Sequence, residues 1–159
     1  MKNKIIYMIV GILAITASVL QERGVLDFGN KSPQSETSPV NTQSSAANSD
    51  YKKLINAIEQ QKNDTQVKGL GTVIKVLTDD NEGSRHQRFL IDVGQSNTLL
   101  VAHNIDLAPR LENITKGDSV EFYGVYEWNN KGGVIHWTHR DPAGRHVGGW
   151  LKHKGKTYQ

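Results

Sequence analysis

All six histidines of the chain lie at or after His86, and they alternate with tryptophan, arginine and aspartate. Imidazole transfers protons near neutral pH and binds metal ions, guanidinium binds anions, and the indole ring stacks on other rings. We therefore expect a functional site where these side chains gather. They occupy four short stretches: RHQR at 85–88, HNID at 103–106, HWTHRD at 136–141 and RH at 145–146.

The imidazoles of this set are candidate ligands for a divalent metal such as zinc. A catalytic zinc site has three protein ligands and a water molecule, and neutral histidine is a common ligand. The candidate metal ligands are His103, His136 and His139, with His146 and Asp141 as further donors. Their spacing is not diagnostic of any metal site, so the sequence leaves this interpretation open.

The same histidines also suit acid–base catalysis without a metal. In that case His103, His139 and Asp141 are the candidate catalytic residues for hydrolysis of a phosphate ester or a glycoside. An arginine would bind the anionic group of the substrate, because guanidinium forms strong charge-assisted hydrogen bonds. The candidate arginines are Arg88, Arg110 and Arg140.

A third interpretation is a surface that stacks on and attracts a polymer, as proteins that bind single-stranded nucleic acids do. Trp128, Trp137 and Trp150 would supply the rings and the arginines the charge. A fourth interpretation is purely structural, with histidines that bridge strand ends and tryptophans that belong to the core.

We favour binding of an anionic polymer, either nucleic acid or glycan. A hydrolase that acts on phosphodiesters or cell-wall glycans, with or without a metal, is the alternative, so the sequence does not decide whether the protein is an enzyme. The predicted ligand-binding residues are Arg85, His86, Arg88, Asn104, Asp106, Arg110, Trp128, His136, Trp137, Arg140 and His146.

The distribution of charge supports an anionic partner. Residues 130–159 contain six Lys or Arg residues and one acidic residue, so their net charge is +5. Since the whole chain has a net charge of +3, residues 1–129 carry a net charge of −2. Clustered charge attracts the opposite sign over about 8–10 Å. A solvated basic tail is the alternative.

Composition and motifs exclude several classes of site. The chain has no cysteine, which excludes disulfides, thiolate metal sites and thiol nucleophiles. Gly69 and Gly71 lack the third glycine of a dinucleotide-binding fingerprint, and no phosphate-binding loop, H-E-x-x-H or G-x-S-x-G motif occurs.

The N-terminal segment, residues 1–28, is predicted to be a membrane anchor. Lys2 and Lys4 precede an uncharged run from Ile5 to Leu20. A helix of that length would span roughly 24 Å. A signal peptide cleaved near Ala17 is the alternative. Because the lysines keep their end in the cytoplasm, we expect a single-pass membrane protein with a periplasmic C-terminal domain, or a secreted form if cleavage occurs.

Residues 29–50 read as a disordered linker, since they are rich in Ser, Thr, Asn and Gln and offer almost nothing to bury. Residues 51–159 are predicted to form the folded domain. It begins with a short helix capped by Ser49 or Asp50, which places Leu54, Ile55 and Ile58 on one face.

After the helix, the hydrophobic pattern becomes alternating and predicts a mainly β domain. Five short strands, glycines in the first strand and a short helical link at Leu107–Ile114 favour an OB-like Greek-key barrel, with a small open sandwich as the alternative. The predicted strands are Val67–Leu77, Gln87–Val93, Thr98–His103, Val120–Trp128 and Gly133–His139.

Several longer motifs resemble those of a known family. They are GLGTV at 69–73, DDNEGSRHQRF at 79–89, AHNIDLAPR at 102–110, GDSVEFYGVYEWN at 117–129 and GVIHWTHRDP at 133–142. From about Leu54 to Gln159, the chain resembles a family of short, uncharacterised bacterial proteins marked by an H-W-T-H sequence and classed as a domain of unknown function. The resemblance implies an envelope protein with a variable N-terminal anchor and implies no particular activity. Because the motifs include the polar stretches, it favours a site at those residues.

Overall fold

The computed structural model describes residues 42–159, which contain one helix and seven strands. The helix α1 spans Thr42–Glu59. The strands are β1 (Thr65–Val76), β2 (His86–Asp92), β3 (Thr98–Asn104), β4 (Ser119–Glu127), β5 (Val134–His136), β6 (Trp150–His153) and β7 (Lys156–Tyr158).

The first five strands form a closed barrel. Their order is β1-β2-β3-β5-β4, and pairing between β4 and β1 closes the sheet. Neighbouring strands are antiparallel except for β3 and β5, which are parallel. A five-stranded Greek-key barrel with this order is of the OB type, so the predicted fold class is confirmed and the open sandwich is wrong.

Alternate residues of the strands fill the barrel. On β2, Phe89 and Ile91 are fully buried, while Arg88 and Asp92 lie on the outer face. Burial of these apolar side chains is the main force that holds the barrel together. The buried barrel residues are Val67, Val73, Phe89, Ile91, Leu99, Val101, Val120, Phe122, Tyr126 and Ile135.

Helix α1 packs on the barrel through Leu54 and Ala57, which belong to the same hydrophobic core. A side chain at Gly69 on β1 would lie 2.6 Å from the Phe122 ring and 3.2 Å from Leu54. Glycine at this position therefore lets the helix and β4 approach β1 closely.

The helix begins at Thr42, earlier than the predicted caps, so it includes the last part of the predicted linker. Residues 44–49 are small or polar and exposed, and for that reason the hydrophobic pattern did not indicate them as helical. The predicted anchor and the rest of the linker lie outside the described residues. Residues 42–159 contain no helix that is long and apolar enough to cross a membrane.

The fifth barrel strand is interrupted. It was predicted to run to His139, but β5 ends at His136 because Trp137 has a φ of 52°, in the left-handed region that a strand does not contain. The chain leaves the sheet for residues 137–149, which we call the strand-five insertion. It returns as β6, which pairs with the same edge of β4 as β5 and continues into β7. Neither β6 nor β7 is among the predicted strands.

The predicted helical link between the third and fourth strands is wrong. Residues 105–118 form turns, with one hydrogen bond of helical type from the Ala108 amide to the Asn104 carbonyl. Pro109 follows directly and, with no N–H, cannot extend a helix. The buried side chain of Gln87 holds this connection instead, because its amide exchanges two hydrogen bonds with the backbone of Leu111, at 3.1 and 2.9 Å.

Candidate functional site

Asp141 organises the strand-five insertion. Its carboxylate accepts hydrogen bonds from the backbone N–H groups of Ala143, Arg145 and His146, at 2.9, 2.7 and 2.8 Å. The bond from the Ala143 N–H, followed by those from the other two, lowers the pKa of the Asp141 carboxyl. Both oxygens thus face their own loop, so the structure places this predicted catalytic residue in a supporting position.

The turn made by Asp141 brings His146 onto Trp137. The two rings are parallel, with an interplanar angle of 7° and centroids 4.4 Å apart. His139 lies against the same indole at 5.3 Å. A bulky residue with a positive φ is strained by roughly 1–3 kcal/mol and persists only where its surroundings fix it. Ring stacking and the ordered loop fix Trp137.

His103 lies beneath the insertion and is fully buried on β3. Its Nε2–H donates to the Pro109 carbonyl at 3.1 Å, and its Nδ1 accepts from the Thr138 hydroxyl at 2.8 Å. Burial lowers the pKa of the His103 imidazole from 6.5 to about 4, against a smaller opposing effect of the bond to Pro109. The ring is therefore neutral at pH 7, and it ties the β3–β4 connection to the insertion.

Above this bridge is a concavity of about 250 Å³, which we call the histidine concavity. Loop β1–β2, the outer faces of β2, β3 and β5, and the start of the insertion form its walls. This is the face that OB folds use for oligonucleotides and oligosaccharides. The lining residues are Ser84, His86, Ala102, Asn104, Leu107, His136, Trp137 and His139.

Two imidazoles of the concavity are oriented by backbone carbonyls. Nδ1 of His86 lies 2.7 Å from the Ser84 carbonyl oxygen, and Nδ1 of His139 lies 2.7 Å from that of Arg140. Because a carbonyl can only accept, each Nδ1 carries the proton in the neutral ring, and each Nε2 is left as an acceptor.

In contrast to the two imidazoles, the Asn104 side chain offers the concavity a hydrogen-bond donor. Its Oδ1 accepts the backbone N–H of Asp106 at 2.9 Å, which assigns the other side-chain atom as the NH₂ donor. The concavity thus combines two imidazole acceptors with one amide donor.

His136 differs from its two neighbours because its Nε2 is buried without a hydrogen-bond partner, although it lies 3.8 Å from a Glu127 carboxylate oxygen. Burial lowers the pKa of the His136 imidazole, and Glu127 partly offsets this effect. The Gln66 side-chain amide on β1 is also buried without a partner. Gln66 and His136 both pair with Val125 across the sheet, so this part of β1, β4 and β5 contains polar atoms that the described residues do not satisfy.

Three of the predicted arginines, Arg85, Arg88 and Arg110, are paired with aspartates. Ion pairs join Arg85 to Asp106 at 2.7 Å, Arg88 to Asp80 at 3.6 Å, and Arg110 to Asp79. Their charge is largely compensated within the protein. Among the described residues, Arg140 and Arg145 of the insertion form no such ion pair, so these two are the arginines of the predicted site region that remain available to an anion.

The basic C-terminal end is compensated in a similar way. Lys152 pairs with Glu121 at 3.5 Å, Lys154 with Asp118 at 3.3 Å, and Lys156 with Glu112 at 3.4 Å. These acidic residues precede the insertion in the chain, so the charge asymmetry along the sequence is reduced in three dimensions.

The tryptophans do not assemble into one stacking surface. Trp137 contacts His139 and His146, and Trp150 lies 6.2 Å from Tyr123, but no two indoles are in contact in residues 42–159. Trp128 is partly exposed just beyond the end of β4. The outer face of β2 and β3 presents Leu90, Leu100 and Ala102 instead of aromatic rings.

The structure brings together some of the predicted site residues and separates others. His86, Asn104, His136, Trp137 and His139 meet in the histidine concavity. Residues 42–159 contain no group of three or more His, Asp or Glu side chains arranged to hold a metal ion. Both nitrogens of His103 are already hydrogen-bonded, which accounts for its absence from such a group.

Sequence reasoning missed Thr138, Gln87 and Leu107. Thr138 is fully buried and lies within the H-W-T-H stretch, so its position between two histidines was the available signal. Gln87, only 1% exposed, stands at a core position of the β2 alternation, where a polar residue signals a specific hydrogen bond. Leu107 is 45% exposed and gave no signal in the sequence.

Most of the chain matches a protein family whose function is unknown. One protein family, described as a protein of unknown function (DUF3465), matches residues 37–159. Of the curated proteins, none is significantly similar to the chain.

Proposed function

Because the chain belongs to the DUF3465 family, whose function is unknown, we propose its function from the site: the domain binds an anionic glycan in the histidine concavity. The ligand class is a polysaccharide whose sugars carry carboxylate groups. One observation carries this proposal, namely the meeting of two acceptor imidazoles, an amide donor and an indole in a concavity on the OB binding face.

The hydrogen-bonding groups suit a sugar. Nε2 of His86 and Nε2 of His139 accept hydrogen bonds, so they fit hydroxyl groups, which a glycan presents at most ring positions. The Asn104 amide donates and fits a carboxylate or ring oxygen. The Trp137 indole and the Leu107 side chain supply the apolar contact that sugar C–H faces need.

The charges suit an anion. Carboxylates are absent from the residues that line the concavity, and Arg140 and Arg145 on the adjoining insertion form no ion pair with the described residues. A bound carboxylate would meet donors and cations there. The nearby carboxylates of Glu127 and Asp141 do not line the concavity, and the Asp141 oxygens accept backbone N–H groups of their own loop.

Nucleic acid fits the same surface less well. Binding of single strands relies on aromatic rings that stack on successive bases and on a continuous basic groove. Here Trp137 is the only indole of the described residues that lines the concavity, the outer face of β2 and β3 carries no Phe, Tyr or Trp, and Arg85, Arg88 and Arg110 are paired with aspartates.

We also propose that residues 1–28 tether the domain to the cytoplasmic membrane and place it outside the cytoplasm. The hydrophobic run after Lys2 and Lys4 supports this proposal. A glycan ligand agrees with it, because envelope polysaccharides are found on that side of the membrane. Alkaline extraction of membranes, followed by protease protection of spheroplasts, would test both parts.

Isothermal titration calorimetry with the full chain in mild detergent tests the binding. The ligands are polygalacturonate oligosaccharides, neutral dextran and a single-stranded RNA oligonucleotide. We expect binding of the uronate oligosaccharide and no binding of dextran. Tighter binding of the RNA than of any uronate would contradict the proposal.

Asn104→Asp is the decisive variant. It keeps the oxygen that accepts the Asp106 N–H, but replaces the NH₂ donor by a charged acceptor. The loss of a hydrogen bond to a charged group should weaken binding about tenfold or more. Asn130→Asp makes the same chemical change in the exposed β4–β5 turn, outside the concavity, and should leave the affinity unchanged.

A further inference from the structure

We propose that the histidine concavity also cleaves its ligand, by β-elimination of a uronate-containing glycan. This inference rests on the proposed function, because it names the reaction that the bound glycan undergoes. Within this scheme His139 is the base, His86 is the acid, and the Asn104 amide donates a hydrogen bond to the uronate carboxylate.

The choice of elimination over hydrolysis follows from the groups present. Most glycoside hydrolases use two carboxyl groups about 5–9.5 Å apart. None of the residues lining the concavity is acidic, and the Asp141 oxygens are engaged by three backbone N–H groups. Glu127 is 3.8 Å from the Nε2 of His136 but does not line the concavity.

β-Elimination requires a base, an acid and a group that stabilises negative charge on the carboxylate. The hydrogen at C5 of a uronate is weakly acidic because it lies next to the carboxyl group. A hydrogen-bond donor on that carboxyl stabilises the negative charge that develops when the C5 proton leaves. The Asn104 NH₂ is held in the donor orientation that this role needs, since its Oδ1 is fixed by the Asp106 N–H.

The proton transfers can be assigned to atoms. Nε2 of neutral His139 takes the C5 proton, and the electrons of the C5–H bond form a C4=C5 double bond. The C4–O4 bond breaks, and its oxygen takes a proton from Nε2–H of His86, whose Nε2 accepts a hydrogen bond in the neutral ring and donates this proton in the imidazolium form. The products are an unsaturated uronate and a shortened chain. Water is not consumed, no oxidant or reductant takes part, and proton exchange with solvent restores both imidazoles.

The orientation is the same in both rings and makes Nε2 the reactive nitrogen, whereas their different burial favours His139 as the base and His86 as the acid. Each Nδ1–H is bonded to a backbone carbonyl at 2.7 Å, which fixes the ring plane and leaves Nε2 as the reactive nitrogen. His139 is only 5% exposed, so its environment excludes much of the water that would compete for the lone pair. His86 is more exposed, at the side where loop β1–β2 borders the concavity.

The test follows the ultraviolet absorbance of the C4=C5 double bond conjugated with the carboxylate. The full chain in mild detergent is incubated with polygalacturonate, alginate and hyaluronan, with a chelator present throughout. We expect absorbance to rise with at least one polymer. Mass spectrometry of that product should show chains that have not gained water.

The variants His139→Asn and His86→Asn separate proton transfer from structure. The asparagine NH₂ can still donate to the carbonyl that holds each ring, but it supplies no Nε2. Loss of a general base or acid should lower the initial rate by about 100-fold or more. Calorimetry should still detect glycan binding, and Asn130→Asp should keep the wild-type rate. Since His86 is the more exposed of the two, its variant keeps the test valid if His139→Asn does not fold.

Other outcomes would overturn the inference. Binding of uronate without any unsaturated product would reject the elimination and leave the proposed function intact. Absence of both binding and product would reject both. Cleavage of RNA instead of uronate, or full activity in both histidine variants, would show that the reaction or the residues are wrong.

Discussion

His103 is the residue on which the site depends most, although it does not line the concavity. It connects Pro109 on the β3–β4 connection with Thr138 on the insertion. It lies on the core side of β3 with Leu99 and Val101, in keeping with the alternation of that strand. The two hydrogen bonds could not be predicted, because both partners come from segments without a periodic pattern.

The His103 imidazole should make stability depend on pH. Its pKa is 6.5 when unfolded and about 4 when folded, so between these values the unfolded state binds more protons. The contribution of His103 to stability is therefore full above about pH 6.5 and falls as the pH is lowered towards 4, by about 3 kcal/mol. Urea unfolding of the wild type across this range measures the decline.

The His103→Gln variant isolates this contribution. Glutamine can keep one polar contact but does not titrate, so the variant should be less stable at pH 7 and should lose less stability towards pH 4. Parallel pH profiles for the two proteins would contradict the assignment. Burial also lowers the pKa of the His136 imidazole, but this residue is present in both proteins and does not affect the difference between their profiles. Asp118 and Asp141 also have lowered pKa values, but both titrate below their ordinary value of 3.8 and affect a lower pH range.

At the scale of elements, the strand-five insertion distinguishes this barrel from the five plain strands that the sequence predicted. Gly149 is where the chain rejoins the sheet, and its N–H donates to the His139 carbonyl at 2.8 Å. A Cβ there would lie 2.0 Å from the Trp137 carbonyl oxygen and 2.5 Å from that of Tyr123. Only glycine allows the two ends of the insertion to come this close.

Gly149→Ala should therefore destabilise the protein. Relief of the contact requires a shift of backbone, so we expect a loss of about 1–3 kcal/mol and disruption of the Trp137–His146 stack. The neighbouring Gly148→Ala is the matched control, because its Cβ would make ordinary contacts at 3.5 Å or more. Thermal unfolding and near-ultraviolet circular dichroism measure the two effects. Equal stability of the two variants would show that the backbone of Trp137 and Tyr123 does not lie this close to Gly149.

The limits of the sequence prediction have physical causes at this scale. Strands one to four alternate buried and exposed residues over seven or more positions, and that pattern was sufficient to find them. The fifth strand was predicted to continue to His139, because a positive φ at a tryptophan leaves no trace in a hydrophobic pattern. β6 and β7 contain four and three residues, too few to show alternation.

At the scale of the whole molecule, charge is arranged differently from its order in the sequence. The basic β6–β7 hairpin lies against acidic residues of β4 and of the β3–β4 connection. Such exposed pairs contribute little to stability, typically about 0–1 kcal/mol, but they reduce the local positive potential. The positive electrostatic potential that would attract an anion is therefore greater near Arg140 and Arg145 than near the β6–β7 hairpin.

Substitutions of lysine and arginine should separate these two regions. Lys152→Gln and Lys156→Gln should leave glycan affinity and stability nearly unchanged, within about 0.5 kcal/mol. Arg140→Gln should weaken uronate binding and make it less sensitive to salt, because it removes a cation next to the concavity. Calorimetry at low and high salt tests this, and a stronger effect of the lysines would place the ligand on the hairpin.

The most direct test of the proposed site is a titration of the ¹⁵N-labelled protein with a uronate oligosaccharide, followed by NMR. We expect the shifted amide signals to cluster at residues 84–86, 102–107 and 136–139, which surround the histidine concavity. Wild-type and Asn104→Asp proteins should differ in affinity but not in fold. Shifts confined to the β6–β7 hairpin, or no shifts at millimolar ligand, would contradict a glycan site in the concavity.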